Sequence, residues 1–146
     1  VVVLHKERST ANLTYPLAPL ASTATVNDVM KWIRMFEKSG KGGLLVFNAH
    51  AEAEADRLIK QCFKLDEAVS CESLDESVFD MDGAVLVDYY GKCFAIGAIL
   101  DGIASPTMGS NERGSRFNSA IKWLNNRQGM SFITVASEDG MIEFLP

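Results

Sequence analysis

The first half of this chain is patterned for helices around one buried strand, and the second half mostly for strands. Val26, Val29, Met30, Ile33 and Phe36 follow the i, i+3, i+4, i+7 spacing of one buried helix face. Thr25 precedes them as the predicted N-cap, with Asp28 three residues on as a weak capping box. The Ser39-Gly40-Lys41-Gly42-Gly43 run stops that helix. Leu44 to Phe47 reads as a short buried strand, and the Ala- and Glu-rich stretch from Ala51 to Cys62 as a second helix. A short helix is expected over Glu72 to Val78. Residues 1 to 24 are weakly patterned, because Pro16 and Pro19 break any long element.

Downstream, Ala84 to Asp88 is a predicted strand, Tyr90-Gly91-Lys92 a turn, and Cys93 to Leu100 the returning strand. Asp101 to Arg113 is a polar loop. A third helix is expected from Ser115 to about Asn126, burying Phe117, Ala120, Ile121 and Leu124. Phe132 to Ala136 is a strand, Glu138-Asp139-Gly140 a hairpin turn, and Met141 to Leu145 the strand that pairs back. The predicted class is α/β, a mixed central β-sheet flanked by helices. Two hairpins argue against a purely parallel, doubly wound sheet.

Composition narrows the function. At 146 residues the chain is the size of one domain, read here as 1–146. Fourteen Lys and Arg against nineteen Asp and Glu leave a net charge of −5. That balance argues against general nucleic-acid coating and against an anionic membrane surface, but not against a small phosphate ligand. Cys62, Cys71 and Cys93 have no metal-like spacing, and with only His5 and His50 beside them a Cys/His zinc site is not expected. They read as reduced thiols of a cytoplasmic protein. Phe94 to Leu100 is too short to span a bilayer. The chain opens Val1-Val2-Val3 without Met or a basic leader, so a fragment of a longer protein is expected, with further domains or an anchor upstream.

Three stretches carry candidate chemistry. Gly109 to Arg116 has the glycine gap of a phosphate loop but lacks its Lys. It does open a helix, whose first N–H groups lack internal partners and suit an anion, and Arg113 and Arg116 flank that end. The plain alternative is an N-cap by Ser115 beside two solvated arginines. Asp82-Gly83-Ala84 is either a turn or an acidic metal ligand beside a glycine that lets a ligand approach. Ser137-Glu138-Asp139-Gly140 is either a hairpin with exposed acids or a second contact to metal or phosphate. Ser39 to Gly43 lies after a helix and before a strand, the wrong order for a phosphate loop. No Ser-His-Asp or Cys-His set can be built; His50 reads as a surface group, and Trp32 and Trp123 as packing.

Together, Asp82-Gly83-Ala84, the strand ending Ala95-Ile96-Gly97-Ala98-Ile99-Leu100, Gly114-Ser115-Arg116-Phe117-Asn118-Ser119-Ala120 and Val135-Ala136-Ser137-Glu138-Asp139-Gly140 resemble the diadenylate cyclase domain family. This is the nucleotide-binding domain of the DNA integrity scanning protein and its relatives. Order and spacing agree over residues 81 to 146, and more loosely over Gly43 to Phe47 and Leu65 to Phe79. The resemblance implies condensation of two ATP into cyclic di-AMP with a divalent metal, Mg or Mn, by domains meeting face to face as a homo-dimer or higher homo-oligomer. Asp82 would hold the metal and help activate the ribose 3′-hydroxyl. Gly83 and Ala84 would line the nucleotide. Gly114, Ser115 and Arg116 would bind phosphates, and Ser137 and Glu138 would sit near the metal or triphosphate.

The family's Arg-His-Arg reads Arg116-Phe117-Asn118 here, and its His before Asp-Gly-Ala reads Met81. Losing one Arg–phosphate contact costs roughly 1.5–3 kcal/mol. Arg113 would compensate, and Asn118 can donate to a phosphate oxygen or a ribose. The alternative to a cyclase is a non-catalytic nucleotide sensor that keeps the pocket.

Overall fold

A computed structural model describes residues 2–5, 23–101, 115–125, 131–137 and 141–145. In chain order its elements are β1 (Val2–His5), α1 (Thr23–Ser39), β2 (Gly43–Asn48), α2 (Ala51–Arg57), β3 (Phe63–Val69), β4 (Ala84–Val87), β5 (Cys93–Ala98), α3 (Ser115–Asn125), β6 (Ser131–Ala136) and β7 (Met141–Leu145). Short 3-10 turns lie at Ile59–Gln61, Cys71–Ser73 and Glu76–Asp80. The strands form one seven-stranded sheet in the order β1-β7-β6-β2-β4-β5-β3. Only β2 and β4 pair in parallel; every other neighbouring pair is antiparallel. This is the α/β mixed sheet expected from the two hairpins.

Helices cover both faces, and the central strands carry the consequence. Leu44 to Phe47 and Ala84 to Val87 are all buried, so both runs are continuously apolar instead of alternating. Alternate β2 residues serve different layers. Leu45 and Phe47 join Val29, Trp32, Ile33 and Phe36 of α1 in one core. Leu44 and Val46 join Ala51 and Ala55 of α2 and Ala120, Trp123 and Leu124 of α3 in the other. Each layer is pinned by a tryptophan. Trp32 Nε1 donates to the Gly91 carbonyl at 2.7 Å, in the β4–β5 turn, and Trp123 Nε1 donates to Glu54 Oε1 at 3.3 Å. Both indole N–H groups are thereby satisfied inside the core.

Several boundaries depart from the sequence pattern. The first helix starts at Thr23, so Thr25 lies in its first turn and is not the cap. The second ends at Arg57; a 3-10 turn follows, and Cys62 is already extended. Ile59, Lys60 and Gln61 are exposed, and with no face to bury, further helical turns gain nothing from packing. The short helix expected over Glu72 to Val78 is two 3-10 turns, the second capped by Asp75, which accepts from the Ser77 N–H at 2.8 Å. Two strands were not expected from the sequence, β1 and the charged β3, and both are sheet edges. Most of the Asp101–Arg113 loop and the Glu138-Asp139-Gly140 turn lie outside the described residues.

The three cysteines are free, as expected. Burial raises all three thiols, Cys93 up to about 12. A neutral buried thiol is no nucleophile near pH 7, which removes Cys93 from catalysis. Among the described residues no helix is long and apolar enough to cross a membrane.

Candidate functional site

The sheet register assembles the site. Because β2 and β4 are parallel, with Leu44 opposite Ala84, their first residues share one edge of the sheet. Their antiparallel neighbours bring their last residues to that edge, with Ala98 of β5 opposite Ala84 and Ala136 of β6 opposite Gly43. Asp82-Gly83, Gly43, Ile99 and Ser137 therefore lie along one rim, although they are far apart in sequence. The α3 helix begins over it. Ala120 and Trp123 form its buried stripe, and Arg116 continues that stripe one turn toward the N-terminus, beyond the sheet edge.

Two clefts open there. One of about 550 Å³ lies between Gly40 to Gly43, Phe79 to Gly83 and Arg116. A smaller one of about 210 Å³ is lined by Leu44, Asp82, Gly83, Ala98 to Leu100, Arg116 and Ser119. Asp82, Gly83 and Arg116 line both. The larger volume falls in the range of small-molecule sites, about 300–1,000 Å³.

The bend at Asp82-Gly83 depends on glycine. Gly83 has φ +102°, and a Cβ there would lie 2.6 Å from the Gly97 carbonyl carbon. Gly97 is itself at φ +60° beneath it, with Met81 and Phe63 close by. The backbone carrying Asp82 thus presses directly on β5, and Asp82 is held exposed at the cleft, with Oδ1 accepting from the Gly83 N–H at 3.1 Å. The dihedral alone makes Gly83→Ala cost about 1–3 kcal/mol, and the backbone overlap adds to it. Urea unfolding is expected to give a clearly lowered midpoint; an unchanged midpoint would mean that Gly83 is not held in this conformation.

Charge at the larger cleft is balanced. Lys41 Nζ pairs with Asp80 Oδ1 in its lining, both side chains about half exposed. Asp82 and Arg116 complete the charged lining among the described residues. Asp80 and Asp82 are hard oxygen donors, the kind that hold Mg²⁺ or Mn²⁺ when phosphates and water fill the remaining positions. No group of three His, Cys, Asp or Glu that could hold a metal occurs among the described residues.

The structure therefore brings together three residues singled out from the sequence, Asp82, Gly83 and Arg116. Ala84 is fully buried, so only its backbone can face a ligand. Asn118 lines neither cleft; two residues past Arg116, it lies about 200° round the helix. Ser119 takes the position beside the smaller cleft instead. Ser115 begins α3. Ser137 follows Ala136 at the rim, its hydroxyl donating to the Met141 carbonyl at 3.2 Å. Arg113, Gly114 and Glu138 lie outside the described residues. Sequence reasoning missed the Gly40 to Gly43 wall. This segment does stop α1, with Gly40 at φ +68° and its N–H on the Glu37 carbonyl at 3.2 Å, but it also forms one side of the larger cleft. Three glycines around a lysine, directly before a buried strand, were the available signal.

The family model described as DisA bacterial checkpoint controller nucleotide-binding matches residues 31–145. Among solved structures, DacA from Staphylococcus aureus, in a double-mutant form, is similar with a TM-score of 0.60 and 25% identity, over 82% of this chain and 79% of that one. A structure described as a hypothetical membrane spanning protein from Bacillus cereus shares the fold, with a TM-score of 0.63 and 24% identity over 92% of this chain and 67% of that one. No curated protein matches the chain. With the family model covering the whole of the described cleft, the chain belongs to the DisA bacterial checkpoint controller nucleotide-binding family and is a diadenylate cyclase-type nucleotide-binding domain.

Proposed function

We propose that each chain binds one ATP with Mg²⁺ or Mn²⁺, and that two copies meeting face to face join two ATP into cyclic di-AMP. The observation that carries this reading is the position of Asp82, Gly83 and Arg116. They match the family's motifs, and they line both clefts at the same rim. A cleft of about 550 Å³ suits one nucleotide, so joining two requires a second copy. The cytoplasm, where ATP is abundant, belongs to the same reading.

In each half-reaction the ribose 3′-oxygen of one ATP forms a bond to the α-phosphorus of the other. The bond from that phosphorus to the pyrophosphate oxygen breaks, and the hydroxyl proton leaves. Two such steps close the ring and release two pyrophosphates. Asp82 is exposed at the cleft and is assigned to hold the cation and orient the 3′-hydroxyl, with Glu138 as its partner in holding the cation. A bound cation would supply positive charge against the charge developing on the phosphoryl oxygens. Arg116, in the first turn of α3, holds phosphate by charge-assisted hydrogen bonds at the positive end of the helix dipole. Ser115, Gly114 and Arg113 belong to that same end, and Ser137 to the triphosphate side. The backbone of Gly83 and Ala84 lines the nucleotide, and Leu44, Ile99 and Leu100 offer an apolar wall. Asn118 is off the clefts, so the phosphate side rests chiefly on Arg116.

Incubation with ATP and Mn²⁺ or Mg²⁺, followed by mass spectrometry for cyclic di-AMP, tests the reaction. Arg116→Ala is expected to weaken ATP binding about tenfold or more, the equivalent of one charged hydrogen bond. Calorimetry giving an unaltered affinity would move the phosphate site elsewhere. One observation favours a second reading, a nucleotide sensor without turnover. Phe117 packs against the core on the α3 face and has no acid–base chemistry to replace the family's His. A clear thermal shift with ATP but no product at high protein concentration would select the sensor.

A further inference from the structure

We infer that Lys41 is a phosphate-binding residue of the cleft, held by Asp80 until a nucleotide enters and then transferred to the phosphate chain. The inference rests on the nucleotide reading above and adds a residue that the family motifs do not contain.

Three observations lead to it. First, Lys41 lines the same cleft as Asp82, Gly83 and Arg116. Gly40, at φ +68°, turns the chain off α1, and the Lys41 N–H donates to Ser39 Oγ at 3.4 Å. The lysine thus leaves α1 on a fixed turn that lines the cleft. Second, cations are few at the cleft among the described residues, and a triphosphate carries several negative charges. The motif's second arginine is Asn118, which is off the clefts, and Lys41 and Arg116 are the two cationic side chains lining the larger cleft among the described residues. Third, the partner that Lys41 has is exchangeable. The side chains of Lys41 and Asp80 are 54% and 48% exposed, and a pair so open to water is screened and weakly held. A phosphate chain offers more negative charge than one carboxylate. The lysine's flexible stem and three rotatable donors let it swing from one acceptor to the other.

Asp80 is thereby a competitor for Lys41, and a double-mutant cycle separates this from general charge effects. ATP and adenosine binding are measured by calorimetry in EDTA, so that no cation contributes. Lys41→Gln is expected to weaken ATP binding about tenfold or more and to leave adenosine binding unchanged. Asp80→Asn is expected to tighten ATP binding about threefold, and that gain should vanish in the Lys41→Gln background. If the parent protein binds ATP and Lys41→Gln binds it equally well, the inference is overturned while the nucleotide reading stands. An equal loss for ATP and adenosine, or a gain from Asp80→Asn that persists without Lys41, overturns it as well. A parent protein that binds no ATP at all takes down both.

Discussion

Asp82→Asn is expected to reduce cyclic di-AMP formation by about a hundredfold or more, the low end of what a positioned carboxylate contributes to proton transfer. The substitution is close to isosteric. The new amide oxygen can still accept from the Gly83 N–H, the bond that Asp82 Oδ1 makes at 3.1 Å, and the side chain is exposed, so the strained bend and the fold stay as they are. The negative charge is what disappears. With it go the hard donor for the cation and the charge that favours loss of the ribose proton. ATP affinity measured without metal is expected to stay within about threefold of the parent, because the phosphate side is carried by other residues. Product formation at fixed, high protein concentration, followed by mass spectrometry, is the measurement. An unchanged rate would remove Asp82 from the mechanism, and a lowered melting temperature would assign its role to the fold instead.

The second large effect is on stability. Trp123→Ala is expected to cost about 3–5 kcal/mol, a large share of the roughly 5–15 kcal/mol that holds a domain of this kind together. Trp123 is 0% exposed at the centre of the α3 layer, so its removal leaves a cavity between α3 and the sheet. It also leaves the buried Glu54 carboxylate without the indole N–H, although Arg57 still binds it, with Nε at 3.0 Å from Oε1. Arg57 reaches onward to Asp101, at 2.5 and 2.7 Å, and these bonds, to Asp101 first and Glu54 second, raise its pKa and keep it charged. One network therefore ties together α2, α3 and Asp101, three residues past β5. Urea denaturation is expected to give a strongly lowered midpoint with an unchanged slope. Since Arg116 rides on the same helix two turns away, ATP affinity should fall as well. An unfolding free energy within about 1 kcal/mol of the parent would mean that the α3 layer is not packed as described.

The residues legible in the sequence are those whose role is local or whose burial is continuous. Val29, Ile33 and Phe36 announce a helix by their period. Leu44 to Phe47 announce a buried strand because both faces are covered. Phe132 to Ala136 and Met141 to Leu145 announce a pair around a turn. Asp82-Gly83-Ala84 and Arg116 were legible as candidates because a turn before a strand and an arginine at a helix start each have a local physical meaning. The β3 strand was not legible. It is an edge paired with β5; Leu65 and Val69 pack against the core but are only partly buried, and the alternation of Phe63, Leu65 and Val69 is broken by Glu67, which leaves only a weak period to read. Nor was the role of Gly40 to Gly43. The local meaning of that segment, a helix stop, is correct and conceals its second use.

The sequence by itself determined the fold class, the burial of β2, the free cysteines and the types of residue available for binding a phosphate ligand. Which of them meet was decided only by the tertiary structure. The parallel pairing of β2 with β4 and the antiparallel pairing of each with its outer neighbour put residues 43, 82, 99 and 137 on one rim. That register is a property of long-range backbone hydrogen bonds, which no local pattern records. Asn118 shows the same division: its chemistry could be read from the sequence, but its distance from the clefts follows from which face of α3 is buried against the sheet.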